Sequence, residues 1–202
     1  CTFDTTFAIT TPTHIYPNVD VDSVTCFSFC DGLAESFPSG GNGSPYQFSW
    51  VDNSTSLEIS TLSSASSLCA GSYTVTVTDP NLCSDDTTIV IESPTEIIIS
   101  NVSSNDALCS YSCDGSTTLS ASGGTTPYTS VNWFQGTIGS GTATGVNGFT
   151  NNSLCPGLDY YVTVTDANGC TENFQISPVS SPPGITISTT ITDVDCHGNG
   201  NG

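Results

Sequence analysis

The 202-residue chain contains no lysine and no arginine. Average usage would give roughly twenty basic residues, so their absence is not a sampling effect. The 19 Asp and Glu residues leave a net charge of −19, and only His14 and His197 could form ion pairs with them. Phosphate contacts to nucleic acid or anionic lipid need basic side chains. The composition therefore excludes nucleic acid as a partner.

Long apolar segments are also missing. The longest aliphatic run is Ile97–Ile99, far short of the roughly 20 residues of a membrane span, so no membrane insertion is expected. No helical period of useful length occurs. No catalytic constellation is present either, because the carboxylates fall mostly in turns and no Lys or Arg is available to hold an oxyanion or a phosphate. We expect no enzymatic activity.

The chain contains ten cysteines, is rich in Ser, Thr, Gly and Asn, and has only 9% charged residues. This composition is typical of an oxidised, extracellular disulfide framework. Zinc sites are disfavoured because only two His accompany the cysteines and no two CxxC pairs face each other. We therefore expect disulfides, an extracellular location and no cofactor.

One stretch occurs twice. Leu68 to Cys83 reads LCAGSYTVTVTDPNLC, and Leu154 to Cys170 reads LCPGLDYYVTVTDANGC. In the first copy Tyr73, Val75 and Val77 alternate with threonines, which predicts a strand with one buried face. A turn follows at Asp-Pro-Asn or Asp-Ala-Asn-Gly. The second copy places Tyr160, Val162 and Val164 on the buried face.

Other motifs repeat in the same order. VTCFSFCDG recurs as ALCSYSCDG 83 residues later, GG followed by PY marks a turn between antiparallel strands, and Trp50 matches Trp133. Short strands are predicted around His14–Tyr16, Ile97–Ile99 and Ile185–Ile187. The predicted domains are the last strand of a preceding repeat (1–12), two repeats (13–94 and 95–182) and the start of a following one (183–202). The chain is thus expected to be a window from a longer one.

Each repeat offers six or seven short strands, with a Trp in the third and a Tyr early in the penultimate strand. This pattern predicts an all-β fold of tandem immunoglobulin-like β-sandwich repeats with disulfides. The segments after Trp50 and Trp133 differ between the repeats. Repeat-specific recognition is expected there, because binding residues concentrate in variable loops.

The order C-x-G, GG-x-x-PY, W and L-x-x-G-x-Y-T-V-T-V-T-D-x-x-x-C resembles the SprB-type repeat of giant cell-surface adhesins of gliding Bacteroidota. The resemblance covers almost the whole chain. It implies export by type IX secretion, a cell-surface location, and a structural stalk segment of an adhesin that acts in attachment and gliding motility. The partners would be neighbouring repeats of the same chain. The alternatives are an array that binds glycan, such as surface polysaccharide, and a subunit of an extracellular filament or sheath.

The resemblance also suggests a disulfide pairing. Four cysteines per repeat allow three connectivities. The family has two usual cysteine positions, and pairing these within each repeat leaves the additional cysteines to pair with each other. The implied bonds are Cys26–Cys83, Cys30–Cys69, Cys109–Cys170 and Cys113–Cys155. Cys1 and Cys196 would then have partners outside this chain segment.

Several aromatic residues have two interpretations. Trp50 and Trp133 could offer faces for sugar stacking, but a core position in the third strand, packed over a disulfide, is favoured. Tyr73 and Tyr160 are predicted to be tyrosine-corner residues. Tyr161 is predicted on the outward face, where it has the better claim to contact a ligand.

The aspartates could mark calcium sites if they met near module junctions, or they could be solvated turn residues, which is the favoured interpretation. They are Asp20, Asp22, Asp79, Asp106, Asp166, Asp193 and Asp195. The Asp-Ser/Thr-aliphatic pattern of Bacteroidota O-glycosylation, suggested by the resemblance, fits Ser23, with Thr5 and Thr87 as weaker matches.

Overall fold

The structure, a computed structural model, describes residues 10–191 and contains only β-strands among its regular elements there. The first repeat holds β1 (Thr13–Tyr16), β2 (Val19–Asp22), β3 (Gly32–Ser36), β4 (Ser39–Gly41), β5 (Gln47–Asp52), β6 (Leu57–Ser60), β7 (Ser64–Leu68), β8 (Gly71–Thr78) and β9 (Ser84–Ile91). The second holds β10 (Ile98–Asn105), β11 (Gly115–Ser122), β12 (Ser130–Gln135), β13 (Thr142–Asn147), β14 (Thr150–Leu154), β15 (Tyr160–Thr165) and β16 (Thr171–Ile176).

The two repeats share one sheet plan. A three-stranded sheet, β2-β3-β7, and a four-stranded sheet, β6-β5-β8-β9, form the first sandwich. The strands β1 and β4 form a separate two-stranded sheet. The second sandwich has the matching sheets β10-β11-β14 and β13-β12-β15-β16. Each four-stranded sheet therefore has its Trp-bearing strand next to its Tyr-Val-Thr strand. The predicted all-β fold of immunoglobulin-like sandwiches is confirmed.

The core of each sandwich is built around its tryptophan. In β5, Trp50 faces Val75 of β8 across an antiparallel pair, and both are fully buried with Val77 and Ile91. Burying an indole removes about 150–250 Å² from water, worth roughly 4–6 kcal/mol of transfer free energy. The buried set of the second sandwich is equivalent and comprises Trp133, Leu154, Val162, Val164 and Ile176.

Most predicted strands are present. The alternation over Leu68–Cys83 becomes β8, whose buried positions are Tyr73, Val75 and Val77. The strand predicted around His14–Tyr16 is β1. A strand at residues 185–187 was a wrong prediction, because the backbone there forms no ladder. The variable segments after both tryptophans contain strands as well as loops, since β6, β7, β13 and β14 lie there.

The described chain forms two compact units. One comprises residues 10–98, Ala121–Thr129 and Val164–Glu172, and the other comprises Ile99–Ser120, Ser130–Thr163 and residues 173–191. The predicted repeat boundaries stay predictions. No stretch of residues 10–191 forms a helix with the length and hydrophobicity of a membrane span.

Candidate functional site

Three disulfides link the described cysteines. Cys30 bonds Cys69, and Cys113 bonds Cys155, as predicted. Each bond joins the cysteine two residues before a strand, β3 or β11, to the cysteine just after the strand that pairs with it, β7 or β14. Each bond therefore links an edge strand to its neighbouring strand within its own repeat. Closing loops of 39 and 42 residues contributes about 4 kcal/mol each in the chain-entropy account.

The third bond corrects the predicted pairing. Cys26 bonds Cys170 across a sequence separation of 144 residues, so the expected bonds Cys26–Cys83 and Cys109–Cys170 are wrong. Among the described residues, Cys83 and Cys109 form no disulfide, and both are exposed. Closing 144 residues instead of 57 costs only about 0.8 kcal/mol more entropy. Proximity in the fold, rather than sequence distance, therefore decides the pairing.

The surroundings of the Cys26–Cys170 bond lie within one compact unit. The side-chain amide of Asn168 donates to the carbonyl oxygen of Thr25 at 3.1 Å, next to the bond. Beside it lies a cleft of about 430 Å³, lined by groups that include Phe29 and Ile97. This junction joins a cysteine of the first sequence repeat to a cysteine of the second.

An aspartate organises the turn that presents Cys83. Asp79 is buried, and its Oδ1 accepts from the backbone N–H of Asn81 at 2.9 Å and of Cys83 at 3.0 Å. Its Oδ2 accepts from the backbone and the side chain of Asn42 at 2.9 and 2.7 Å. Burial alone raises the pKa of Asp79, but these hydrogen bonds outweigh it and lower the pKa below its ordinary value.

Asp166 accepts hydrogen bonds from the backbone of the turn that presents Cys170. Its Oδ1 accepts from the backbone N–H of Asn168 and of Cys170, both at 2.9 Å, and its Oδ2 accepts from Thr125 N–H at 2.8 Å. Asp79 and Asp166 are therefore buried turn organisers rather than solvated turn residues, which corrects the favoured interpretation. Their oxygen atoms already accept N–H donors, so both carboxylates are occupied.

The remaining candidate calcium ligands do not converge. Asp20 and Asp22 lie exposed on β2, and Asp106 accepts from the backbone of Ser180. Within residues 10–191, no three His, Cys, Asp or Glu side chains are arranged to hold a metal ion. Asp193 and Asp195 lie outside the described residues.

The GG pair of the turn motif has a steric reason. Gly40 and Gly41 both have positive φ, 86° and 58°, which disfavours residues with a Cβ. A Cβ on Gly40 would collide with the carbonyl oxygen of His14, and one on Gly41 would lie 2.8 Å from Oδ2 of Asp79. The glycines thus let the chain approach closely enough for Asn42 to reach Asp79.

The turns that carry Cys26 and Cys109 also match. Asp31 Oδ1 accepts from Thr25 N–H, and Asp114 Oδ1 accepts from Leu108 N–H, both at 3.0 Å. The hydroxyl and then the amide of Thr25 hold the pKa of Asp31 below its usual value. These aspartates were missed as candidates, although the repeated CDG letters could have identified them.

The tryptophans are core residues. Trp50 and Trp133 are buried, and their indole N–H groups donate to the carbonyl oxygens of Leu62 at 3.0 Å and Gly148 at 2.8 Å. Neither ring offers a face for sugar stacking, so the favoured interpretation holds. Packing of the indoles over a disulfide stays a prediction.

The two predicted corner tyrosines differ in detail. Tyr73 donates its hydroxyl to the carbonyl of Cys69, four residues upstream, at 3.0 Å, which is the tyrosine-corner contact. The hydroxyl of Tyr160 instead accepts from the N–H of Cys155 at 3.2 Å. Both phenols secure the backbone at the cysteine that closes the inner disulfide.

Tyr161 is not an exposed ligand contact, and the prediction for it was wrong. Only 6% of its surface is exposed, and its ring stacks on Phe134 with centroids 4.7 Å apart and planes 8° apart. A Cβ on Gly141 would meet the same ring. The Gly-rich connection between β12 and β13 therefore covers this face of the sheet.

The O-glycosylation candidates have ordinary positions. Ser23 is exposed, and its hydroxyl accepts from Glu92 N–H at 3.1 Å. Thr87 is half-buried on β9, opposite Val75. Thr5, like Cys1 and Cys196, lies outside the described residues. Modification at these positions stays a prediction.

No family model matches the chain, and no curated protein matches its sequence. Among solved structures, the three N-terminal domains of the Highly Immunogenic Outer Capsid protein (Hoc) of bacteriophage RB49 align with a TM-score of 0.51 and 16% identity, over 83% of this chain and 59% of that chain. The fold is that of tandem immunoglobulin-like sandwiches. The chain spans only about three fifths of the Hoc structure, and at this identity the likeness shows the fold alone.

Two further solved structures align with this chain more weakly. The fibronectin(III)-like modules of Clostridium thermocellum CbhA align with a TM-score of 0.31 and 10% identity, over 81% of this chain and 95% of that chain. Dpr2 Ig1-Ig2 in complex with DIP-Theta Ig1-Ig3 gives 0.33 and 10%, over 85% and 67%.

Proposed function

We propose that this chain is a structural stalk segment of a large secreted cell-surface adhesin that acts in attachment and gliding motility. The observation that carries the proposal is the Cys26–Cys170 bond, because it joins the two sequence repeats covalently in addition to the peptide chain. A segment that transmits force between a cell and a surface benefits from such a bond. The SprB-type motif string supports the adhesin context.

The charge of the chain fits the same role. All 19 charged residues other than the two His are acidic, so neighbouring repeats of an array repel each other and resist collapse. The one ion pair formed by the described residues, His14 Nε2 to Asp85 Oδ2 at 3.3 Å, needs a protonated His14. Bound cations would screen the repulsion, and extension of the array would then decrease with ionic strength.

The disulfides support export. Three bonds in one small chain persist only in an oxidising environment, such as the periplasm or the cell exterior. We place the protein outside the cell, at the cell surface, with type IX secretion as the route that the motif resemblance implies.

A non-enzymatic role fits the polar groups. In the part of the chain that the structure describes, every buried side-chain nitrogen and oxygen of the sandwiches already has a hydrogen-bond partner. Active sites instead keep polar groups poised for a substrate. The carboxylates in the turns accept hydrogen bonds from the backbone N–H groups next to the cysteines and hold those turns in place.

A cavity in the segment after Trp133 offers the glycan-binding alternative a place to act. A shallow cavity of about 260 Å³ lies between β12, β13 and β14 and is lined by residues that include Gln135, Thr144 and Asn151. Asn151 is buried, and its Oδ1 already accepts from Ser153 N–H at 2.9 Å. Reproducible binding of the full chain to a glycan array, abolished by Gln135→Ala, would favour this alternative over the stalk.

A replacement experiment tests the stalk. In the cell that makes the adhesin, this segment is replaced by two unrelated sandwiches of equal length, and surface attachment and gliding are measured. A spacer role predicts that the replacement supports attachment, whereas simple deletion weakens it. Loss of attachment with the replacement would show that the segment itself binds, and electron microscopy of the purified chain would reveal ordered polymers if it were a filament subunit.

A further inference from the structure

The two unpaired cysteines are the sequence equivalents of the two cysteines of the junction bond. Cys109 stands where Cys26 stands in the first repeat, and Cys83 stands where Cys170 stands in the second. The bond Cys26–Cys170 therefore uses one end of each repeat. It leaves the opposite end of each repeat with an unused cysteine, and both of these are exposed.

The hydrogen bonds around the unpaired cysteines match those around the bonded ones. The Asp79 carboxylate binds the N–H groups of Asn81 and Cys83 as Asp166 binds those of Asn168 and Cys170. The backbone bond from Asp79 N to Cys83 O is 2.8 Å, and its counterpart in the second repeat is 3.0 Å. The Cys83 turn therefore needs no rearrangement to act as the Cys170 turn does.

The other half matches in its hydrogen bonds but not at every backbone angle, because Ser28 has a φ of 60° whereas its equivalent, Tyr111, has no positive φ. The carbonyl oxygen of Cys109 accepts from Ser112 N–H at 3.2 Å, as that of Cys26 accepts from Phe29 N–H at 3.1 Å. Asp114 caps this turn as Asp31 caps the other. Five hydrogen bonds thus repeat at the equivalent positions of the formed junction.

Apolar side chains beside the two free thiols are left in water. Leu82 precedes Cys83 and is 78% exposed, and Leu108 precedes Cys109 and is also 78% exposed. Tyr111, two residues further on, is 95% exposed. Phe27 and Phe29, which flank the bonded Cys26, are less exposed, at 48% and 55%.

We propose that Cys109 of one copy of this chain forms a disulfide with Cys83 of a second copy, repeating the Cys26–Cys170 junction from copy to copy. Asn81 of the second copy would donate to the carbonyl of Leu108, as Asn168 donates to Thr25. The contact is heterologous, so each copy keeps one free half and the linkage can continue into an open chain. This inference does not depend on the adhesin role.

The chemistry needs an oxidant of the disulfide class. The Cys109 thiolate attacks a low-molecular-weight disulfide, forms a mixed disulfide and releases one thiolate. The Cys83 thiolate of the second copy then attacks the Cys109 sulfur and releases the other. Two protein thiols are oxidised to one protein disulfide, and one small disulfide is reduced to two thiols.

Complementary single variants test the proposal. C83S and C109S are each made in a background carrying C1S and C196S, because those two cysteines could compete. The proteins are incubated separately and mixed one to one in a glutathione redox buffer, then separated on non-reducing gels and mapped as peptides. The variant lacking both Cys83 and Cys109 is the control for other cross-links, and peptides containing the Cys30–Cys69 bond report correct folding.

The expected result is a heterodimer linked by Cys109 of the C83S protein and Cys83 of the C109S protein, exceeding either homodimer by about tenfold at equilibrium. Adding Asn81→Ala to the C109S protein should lower that fraction. A heterodimer only about twice as abundant as either homodimer, which is the statistical ratio, would show random thiol oxidation and overturn the proposal. So would the absence of any dimer, or a Cys83–Cys109 bond within one chain of the parent protein.

Discussion

The nesting of the disulfides predicts the mechanical response of the chain. The Cys30–Cys69 and Cys113–Cys155 bonds both lie inside the 144-residue span that Cys26–Cys170 closes. When the protein is pulled between its termini, the whole span contributes only the 5.7 Å between the two Cα atoms. Reduction should release the 144 residues of that span, which at about 3.5 Å per residue is roughly 500 Å of contour length.

Two variants make this prediction specific, and single-molecule force spectroscopy under oxidising conditions measures it. In the C26S/C170S variant the inner disulfides still prevent 39 and 42 residues from extending. Unfolding under force should therefore extend only the rest of the 144-residue span, which is roughly 220 Å of contour length. The C30S/C69S variant is the matched control. It should release nothing, because the outer bond already spans that loop.

A different pairing would give a different extension. Bonds confined to each repeat, Cys26–Cys83 and Cys109–Cys170, would leave the residues between Cys83 and Cys109 free to extend. The oxidised wild-type protein would then lengthen by roughly 90 Å more than the outer bond allows. That result, or a gain in the C30S/C69S control, would refute the nested pairing and with it the covalent joining of the repeats.

Three further predictions concern stability. Trp50→Ala should lower the free energy of unfolding in urea by about 3–5 kcal/mol because it empties the core, whereas Tyr111→Ala should change it by less than about 0.5 kcal/mol. Gly43→Ala, at a positive φ in open space, should cost about 1–2 kcal/mol, and Gly40→Ala should cost clearly more because it adds a backbone collision; equal losses would contradict the steric argument. Because its folded-state pKa is lowered, Asp79 contributes stability that is complete above about pH 3.9, the unfolded value, and lost as the pH falls through the folded value. The urea midpoints of the wild type and Asp79→Asn should therefore differ at pH 6, and the difference should begin to shrink only below about pH 4 and disappear as the pH falls through the folded pKa; a constant difference would contradict the role assigned to the carboxylate.

The strands were predictable because their signals are local. Period-two alternation over Tyr73, Val75 and Val77 predicts which face of β8 is buried, and the structure buries those residues. The burial of Trp50 was predicted from a place in the third strand, and the structure buries it in β5. The inner disulfides were predicted too, as the pairs of additional cysteines that the family resemblance implies, and the structure contains both bonds.

The candidate site was less accessible to sequence reasoning. Asp79 and Asp166 were noticed as strand ends, but nothing local shows that Asn42 and Thr125, about forty positions earlier, donate to them. Tyr161 occupies an outward position by alternation. It is buried because a glycine-rich connection folds over it, and strand periodicity contains no information about such a cover.

The sequence by itself determined the repeats, the strand faces, the absence of basic side chains and the need for disulfides, because each of these depends on composition or on short-range periodicity. Only the tertiary structure decided that Cys26 and Cys170 bond to each other rather than to Cys83 and Cys109. Loop-closure entropy changes so slowly with length that it does not distinguish 57 residues from 144. The choice therefore falls to the folded surfaces that bring Cys26 beside Cys170 and leave Cys83 and Cys109 exposed.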